Sequence, residues 1–185
     1  MISRKPRLNV KATFSWLTLL GLTVPFNSLF AEGRISGDWI WNVDDKDVFW
    51  AAAQNNAGHF IGQSCYLKDG DCVYIVHLGS ICEAGAEYPA MINSDSGSAS
   101  VKLTCVNEFE PGKWMFIIHP FDDVDTFVRS ALHIGIAVPM EGGQFKVDRF
   151  SLKGSKNAID LMRQAAKAFK ARGGEEAVGA DEQFL

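Results

Sequence analysis

Short runs in which apolar and polar residues alternate follow one another along most of the chain. In the clearest run, from Val101 to Cys105, valine, leucine and cysteine alternate with lysine and threonine, as expected for a strand with one buried face. Similar runs predict strands over residues 37–42, 48–54, 59–67, 72–78, 88–93, 99–105, 114–119, 132–138 and 144–152. The pattern therefore predicts a mostly β fold, an antiparallel β-sandwich.

The period of the apolar residues changes near the carboxyl terminus. From Ile159 to Phe169 they recur at helical spacing, with Ser155 as a candidate N-cap and Gly173 as a candidate C-terminal cap,. One amphipathic helix is predicted to close the domain. Residues 121–130 fit either a short helix or a loop.

The four cysteines, Cys65, Cys72, Cys82 and Cys105, allow three disulfide pairings. A four-residue hairpin loop over 67–70 would place Cys65 directly across from Cys72, at the separation that a disulfide requires. This geometry favours Cys65–Cys72 together with Cys82–Cys105. We predict that the disulfides brace the β-sandwich.

The amino terminus predicts export. Basic residues among the first 11 positions are followed by an apolar run from Phe14 to Val24, which is typical of a signal peptide and too short to span a membrane. We predict a signal peptide over residues 1–31, a single domain over 32–173 and a disordered acidic tail over 174–185. No membrane anchor is expected after cleavage. The expected location is the periplasm of a Gram-negative bacterium or outside the cell.

Charge excludes one class of partner. Residues 1–31 contain four basic and no acidic residues, so 14 basic and 22 acidic residues remain after cleavage, with a net charge of −8. Clustered Lys or Arg, which phosphate contacts need, is absent from that part of the sequence. Nucleic acid is therefore not an expected partner.

Few residues indicate catalysis. The four histidines, His59, His77, His119 and His133, fall on separate predicted strands without a metal-binding spacing,. Serine hydrolase, CxxC and nucleotide-binding motifs are absent, and no cofactor is expected. The acidic segments 44–47 and 122–125 supply oxygen ligands for calcium, although solvated turns are the commoner use.

Aromatic residues are frequent on the predicted strands. Trp39 and Trp41 share one face because side chains alternate along a strand,. With Trp50, Trp114 and three tyrosines, they form either the sandwich core or a ligand-binding face,. Strand spacing favours the core.

The segment from Val138-Pro139-Met140 through a Gly-Gly turn and Val147-Asp148 to Phe150-Ser151-Leu152-Lys153-Gly154 and Ala158 resembles the invasion-associated locus B family of exported bacterial proteins. The resemblance covers about residues 130–160. It implies a β-sandwich, a binding role and no catalytic residues. The hairpin at 65–72 and the segment 88–98 depart from the family's cysteine layout.

Two functional hypotheses follow. The first is an exported, non-enzymatic module that binds a protein or a small ligand through a rigid β-scaffold. The alternative is a periplasmic hydrolase or metal-dependent enzyme that uses His119 and the loop from Asp122 to Asp125. The identity of the ligand and the oligomeric state do not follow from the sequence.

Overall fold

A computed structural model describes residues 33–44, 48–66 and 71–172. The predicted signal peptide, the predicted tail and Gly173 lie outside these residues. The strands are β1 (Arg34–Ser36), β2 (Trp39–Val43), β3 (Val48–Gln54), β4 (Phe60–Tyr66), β5 (Cys72–His77), β6 (Glu87–Ser94), β7 (Gly97–Glu110), β8 (Lys113–His119), β9 (His133–Pro139) and β10 (Phe145–Ser151), and the helices are α1 (Phe121–Ser130) and α2 (Ser155–Ala171).

The ten strands form one antiparallel sheet in the order β1-β2-β3-β4-β5-β8-β7-β6-β9-β10. The register places the apolar residues of neighbouring strands on the same side, for example Leu103 opposite Ile118 and Phe150 opposite Ile134. A sheet of this size curls because each strand is rotated relative to the next. The first and last strands therefore approach each other.

One side of the sheet, here called the inner face, carries a single continuous core. Trp39 and Trp41 lie there, as their alternation predicted, and so does Tyr74. The indole nitrogen of Trp39 donates a hydrogen bond to the carbonyl of Ser151, 2.9 Å away in β10. The predicted mostly antiparallel β fold is confirmed. The two layers expected of a sandwich are here two parts of one continuous, curled sheet.

Both helices pack on the inner face. The ring of Phe121 in α1 lies 5.2 Å from that of Tyr74, and the ring of Phe169 in α2 lies 5.8 Å from that of Phe49. The predicted carboxy-terminal helix is α2, and residues 121–130 form a second helix. No helix among the described residues is long and apolar enough to cross a membrane.

The predicted N-cap of α2 is wrong. Gly154 occupies that position with a φ of 89°, and no side chain caps the helix. Only glycine fits, because a Cβ there would lie 1.9 Å from the carbonyl oxygen of Ser36,. The hydroxyl of Ser155 instead donates to the carbonyl of Val128 at 2.5 Å, which ties α2 to α1.

Both disulfides have the predicted pairing. Cys65 and Cys72 are register partners across β4 and β5, with their Cα atoms 4.0 Å apart. Cys82 and Cys105 have Cα atoms 6.1 Å apart and close a longer loop. Cys105 is buried on the inner face, as the alternation of β7 predicted.

The serine-rich segment 94–100 contains a tight turn, since β6 ends at Ser94 and β7 begins at Gly97. The Asp95 carboxylate accepts hydrogen bonds from the backbone N–H groups of Leu132 and His133 at 2.9 and 3.1 Å. These hydrogen bonds hold the pKa of Asp95 below its usual range, and the one from His133 has the largest effect,. Ser96 lies in this turn, whereas Ser94, Ser98 and Ser100 lie on the two strands beside it.

Candidate functional site

In the described structure His119 forms no hydrogen bond or ion pair with the acidic segment 122–125. His119 is the exposed last residue of β8, while residues 122–125 lie on α1. Asp122 and Asp123 are exposed in its first turn, and Asp125 points into the protein. Among the described residues no group of three or more His, Cys, Asp or Glu side chains has metal-binding geometry. Calcium ligation by this segment therefore has no support from its geometry.

Asp125 joins both helices to the sheet. Its Oδ1 accepts a hydrogen bond from the hydroxyl of Tyr74 at 2.7 Å and another from Arg163 of α2. Arg129 lies 3.4 Å from its Oδ2. Burial opposes ionisation of Asp125, but the hydrogen bonds from Tyr74 and Arg163 and the charges of both arginines outweigh it, so its pKa is lowered,. The pKa of Tyr74 is raised far above its ordinary value, mainly by burial and next by its hydrogen bond to Asp125. The Asp125 carboxylate therefore has a structural role, since it links α1 to β5 and α2.

A second polar cluster joins distant strands. His59 immediately precedes β4, and its Nδ1 lies 2.5 Å from Oδ1 of Asp148 in β10. The ring of His77, at the end of β5, meets the His59 ring edge-on with centroids 5.4 Å apart. Lys146 Nζ lies 3.9 Å from Oδ2 of Asp148, and His77 Nδ1 is 2.9 Å from the carbonyl of Trp114. Sequence spacing gave no signal of this cluster, because His59, His77 and Asp148 come from separate parts of the chain.

The His59–Asp148 pair has the geometry of a base oriented by a carboxylate. For His59 to act as a catalytic base, its other ring nitrogen, Nε2, would have to face a nucleophile or a substrate. It lies instead against Gly79, where an added Cβ would be 2.2 Å from it. This arrangement supports a structural link between β4, β5 and β10.

The outer side of β6, β9 and β10 exposes an apolar surface. Val147, Ala137 and Met91 lie side by side across the three strands, because they are successive register partners. Phe145 and Pro139 form the next row. Phe145 is 61% exposed, and Val147 and Met91 are each 43% exposed. We call these five residues the outer patch.

The outer patch borders a free strand edge. β10 is the last strand of the sheet, and its even-numbered residues face β9, as shown by the bonds Leu152 N–H to Leu132 O and Met140 N–H to Gln144 O. The backbone groups of odd-numbered residues therefore point away from β9. Two of these outward carbonyls accept hydrogen bonds from side chains: Ser151 from Trp39, and Arg149 from Asn55.

The first half of this edge is open. Phe145 and Val147 also have odd numbers, so their N–H and C=O groups face outward. Among the described residues no group bonds to them. An unpaired edge beside exposed apolar side chains is a template for another strand.

No known protein family matches the sequence, and no curated protein matches it. The structure does match that of invasion associated protein B from Bartonella henselae, with a TM-score of 0.52. The chain has the fold of that protein. The match covers 73% of this chain and 98% of that chain at 17% sequence identity. The resemblance seen in residues 130–160 is thus confirmed at the level of the fold.

Proposed function

We propose that the protein is an exported, non-enzymatic binding module whose partner adds a strand to the free edge of β10. The observation that carries this proposal is the open backbone of Phe145 and Val147 beside the outer patch. Protein edges are normally shortened, charged or covered, because an open edge invites pairing with another chain. An edge that instead carries exposed Phe and Val side chains suits recognition by strand addition.

The chemistry of the edge defines the partner segment. Backbone pairing requires an extended polypeptide, and the alternation of β10 places every second side chain of that segment over the outer face. Phe145 and Val147 favour apolar residues at two of these positions. Arg149, exposed in the next row, favours an acidic residue at the third. The expected ligand is an extended segment that runs antiparallel to β10, with an acidic residue followed by two alternate apolar residues.

The proposed compartment is the periplasm of a Gram-negative bacterium or the outside of the cell. Two disulfides support an oxidising compartment,, and the fold shared with invasion associated protein B agrees with it. The signal peptide over 1–31, the domain over 32–173 and the disordered tail over 174–185 remain part of the proposal. Amino-terminal sequencing of the exported protein tests the cleavage site.

A blocked peptide, Asp-Thr-Val-Thr-Val, is the direct probe of the edge. We expect it to bind weakly and to shift the backbone amide resonances of Phe145 and Val147 more than those of β1, the opposite edge of the sheet. The same peptide with N-methylated valines should not bind, because it cannot donate the required hydrogen bonds. Equal binding of both peptides, or shifts confined to other strands, would contradict the proposal.

Val147→Pro is the matching protein variant. Its N–H points outward, so proline removes a donor that β9 does not use, and edge strands tolerate this substitution. Val147→Thr retains the donor and serves as the control. We expect loss of peptide binding only in Val147→Pro. A dimer that Val147→Pro converts to monomers would show instead that a second copy of this chain occupies the edge.

A further inference from the structure

A cavity of about 240 Å³ lies between α2 and the hairpin of β4 and β5, remote from the outer patch. Its hairpin wall consists of the Cys65–Cys72 disulfide and Tyr66. Its helical wall consists of Arg163, Ala166, Lys167 and Lys170. These four positions share one side of α2, because residues three, four and seven apart lie on the same helical face.

The disulfide and α2 hold the two walls in place. The disulfide bridges register partners, so the two strands cannot separate at this point. On the other side, Arg163 Nε donates to Oε1 of Gln63 at 2.7 Å, and Gln63 is fully buried in β4. Near the end of α2, the ring of Phe169 packs against that of Phe49 in β3. These contacts link the two elements that carry the walls of the cavity.

The charge of the cavity is opposite to that of the protein, which carries a formal net charge of −4. The Arg163 guanidinium is occupied by Asp125 and Gln63. Among the described residues, Lys167 and Lys170 form no ion pair, whereas Lys156 on the same helix pairs with Asp160 at 2.6 Å. In the part of the chain that the structure describes, two exposed lysines without an ion pair therefore line a cavity whose hairpin wall is apolar.

We propose that this cavity binds a small organic carboxylate with an apolar body. The sulfur atoms of the disulfide, the ring of Tyr66 and the methyl group of Ala166 favour the apolar part,. Lys167 and Lys170 favour one negative charge at the opening. Inorganic phosphate fits poorly, because it has no apolar surface to place against these walls. The volume is slightly below the about 300–1,000 Å³ of usual ligand pockets, so the ligand is small.

Titration calorimetry with 4-phenylbutyrate tests the site, and 4-phenylbutanol and inorganic phosphate serve as matched probes. We expect binding of the carboxylate and weaker binding of the alcohol and of phosphate. Equal binding of the alcohol would overturn the assignment of an anion, and tighter binding of phosphate would overturn the assignment of an apolar body. No binding of the carboxylate at millimolar concentration would overturn the site.

The double variant Lys167→Gln with Lys170→Gln should weaken carboxylate binding by about tenfold, because each exposed ammonium contributes modestly. Lys153→Gln, an exposed lysine near the start of α2, is the control and should bind as the unchanged protein does. Ala166→Leu should block the cavity. Ala166, Lys167 and Lys170 are exposed or half-buried on α2, so we expect these variants to fold. Thermal unfolding of each variant checks that its fold is intact. Unchanged affinity in folded forms of both the double variant and Ala166→Leu would contradict the site.

Discussion

His59 Nδ1 lies 2.5 Å from Oδ1 of Asp148, and this contact joins residues 89 positions apart in sequence. It connects the beginning of β4 to β10 at the point where the curled sheet brings its two halves together. Asp148 is buried, so its carboxylate depends on His59 and the nearby Lys146 for compensation,. The contact therefore helps to hold the last strand in position.

Asp148→Ala should lower the free energy of unfolding by about 1–3 kcal/mol, since it leaves the partly buried Nδ1 of His59 without its partner and removes the carboxylate beside the Lys146 ammonium,. Glu141→Ala, in the exposed turn before β10, is the control and should change it little. Urea unfolding of Asp148→Ala, His59→Ala and the double variant gives the coupling energy. A coupling energy near zero would show that the contact does not stabilise the sheet.

His77 should make the protein less stable as the solution is acidified. Burial, opposed by the hydrogen bond to the carbonyl of Trp114, lowers its pKa in the folded state, and the positive charges of His59, Lys113 and Lys146 act in the same direction. Between the lowered folded pKa and the unfolded value of about 6.5, the unfolded chain binds more protons. Stability therefore decreases as the pH falls through this window.

Unfolding free energies of the protein and of His77→Asn, measured from about pH 7 to about pH 5, test this effect. Asparagine can still donate to the Trp114 carbonyl but does not titrate. The variant should lose less stability over this range than the unchanged protein, whereas the exposed control His119→Asn should follow the unchanged protein. Parallel curves for all three proteins would exclude His77 as the source.

Asp125→Ala should lower the free energy of unfolding by about 2–3 kcal/mol, because Arg163, Arg129 and Tyr74 lose a shared, partly buried acceptor,. The lowered pKa of Asp125 means that its contribution is present above the unfolded value of about 3.9 and is lost as the pH falls through the folded value,. Asp123→Ala, exposed on the same helix, should cost less than about 1 kcal/mol. Equal losses in the two variants would contradict the structural role of Asp125.

The two disulfides should differ in their contribution. Cys82–Cys105 spans 23 positions and Cys65–Cys72 spans 7, so the chain-entropy estimate favours the longer loop by about 1 kcal/mol. Replacing Cys82 and Cys105 by Ala should therefore lower the urea midpoint more than replacing Cys65 and Cys72. The opposite order would show that the hairpin disulfide stabilises the fold through more than loop entropy.

The sequence by itself determined nine of the ten described strands, all but β1, together with the carboxy-terminal helix and both disulfides. Alternation with a period of two is a local property, and it identified the buried side of the strand that carries Val101 and Leu103. The Cys65–Cys72 pairing was predictable for the same reason, because a short hairpin fixes which residues stand opposite each other. Residues 121–130 stayed ambiguous, because so short a segment forms a helix mainly through tertiary packing, here against Tyr74,.

Only the tertiary structure decided which distant residues meet. The contact of His59 with Asp148 depends on the curl of a ten-stranded sheet, and no local period encodes that curl. The open edge at Phe145 and Val147 likewise depends on which strand ends the sheet and which of its backbone groups face outward. The cavity beside Cys65 and Cys72 required the docking of α2 against the hairpin. The sequence specifies elements through short-range patterns, whereas these sites arise from contacts between elements far apart in the chain.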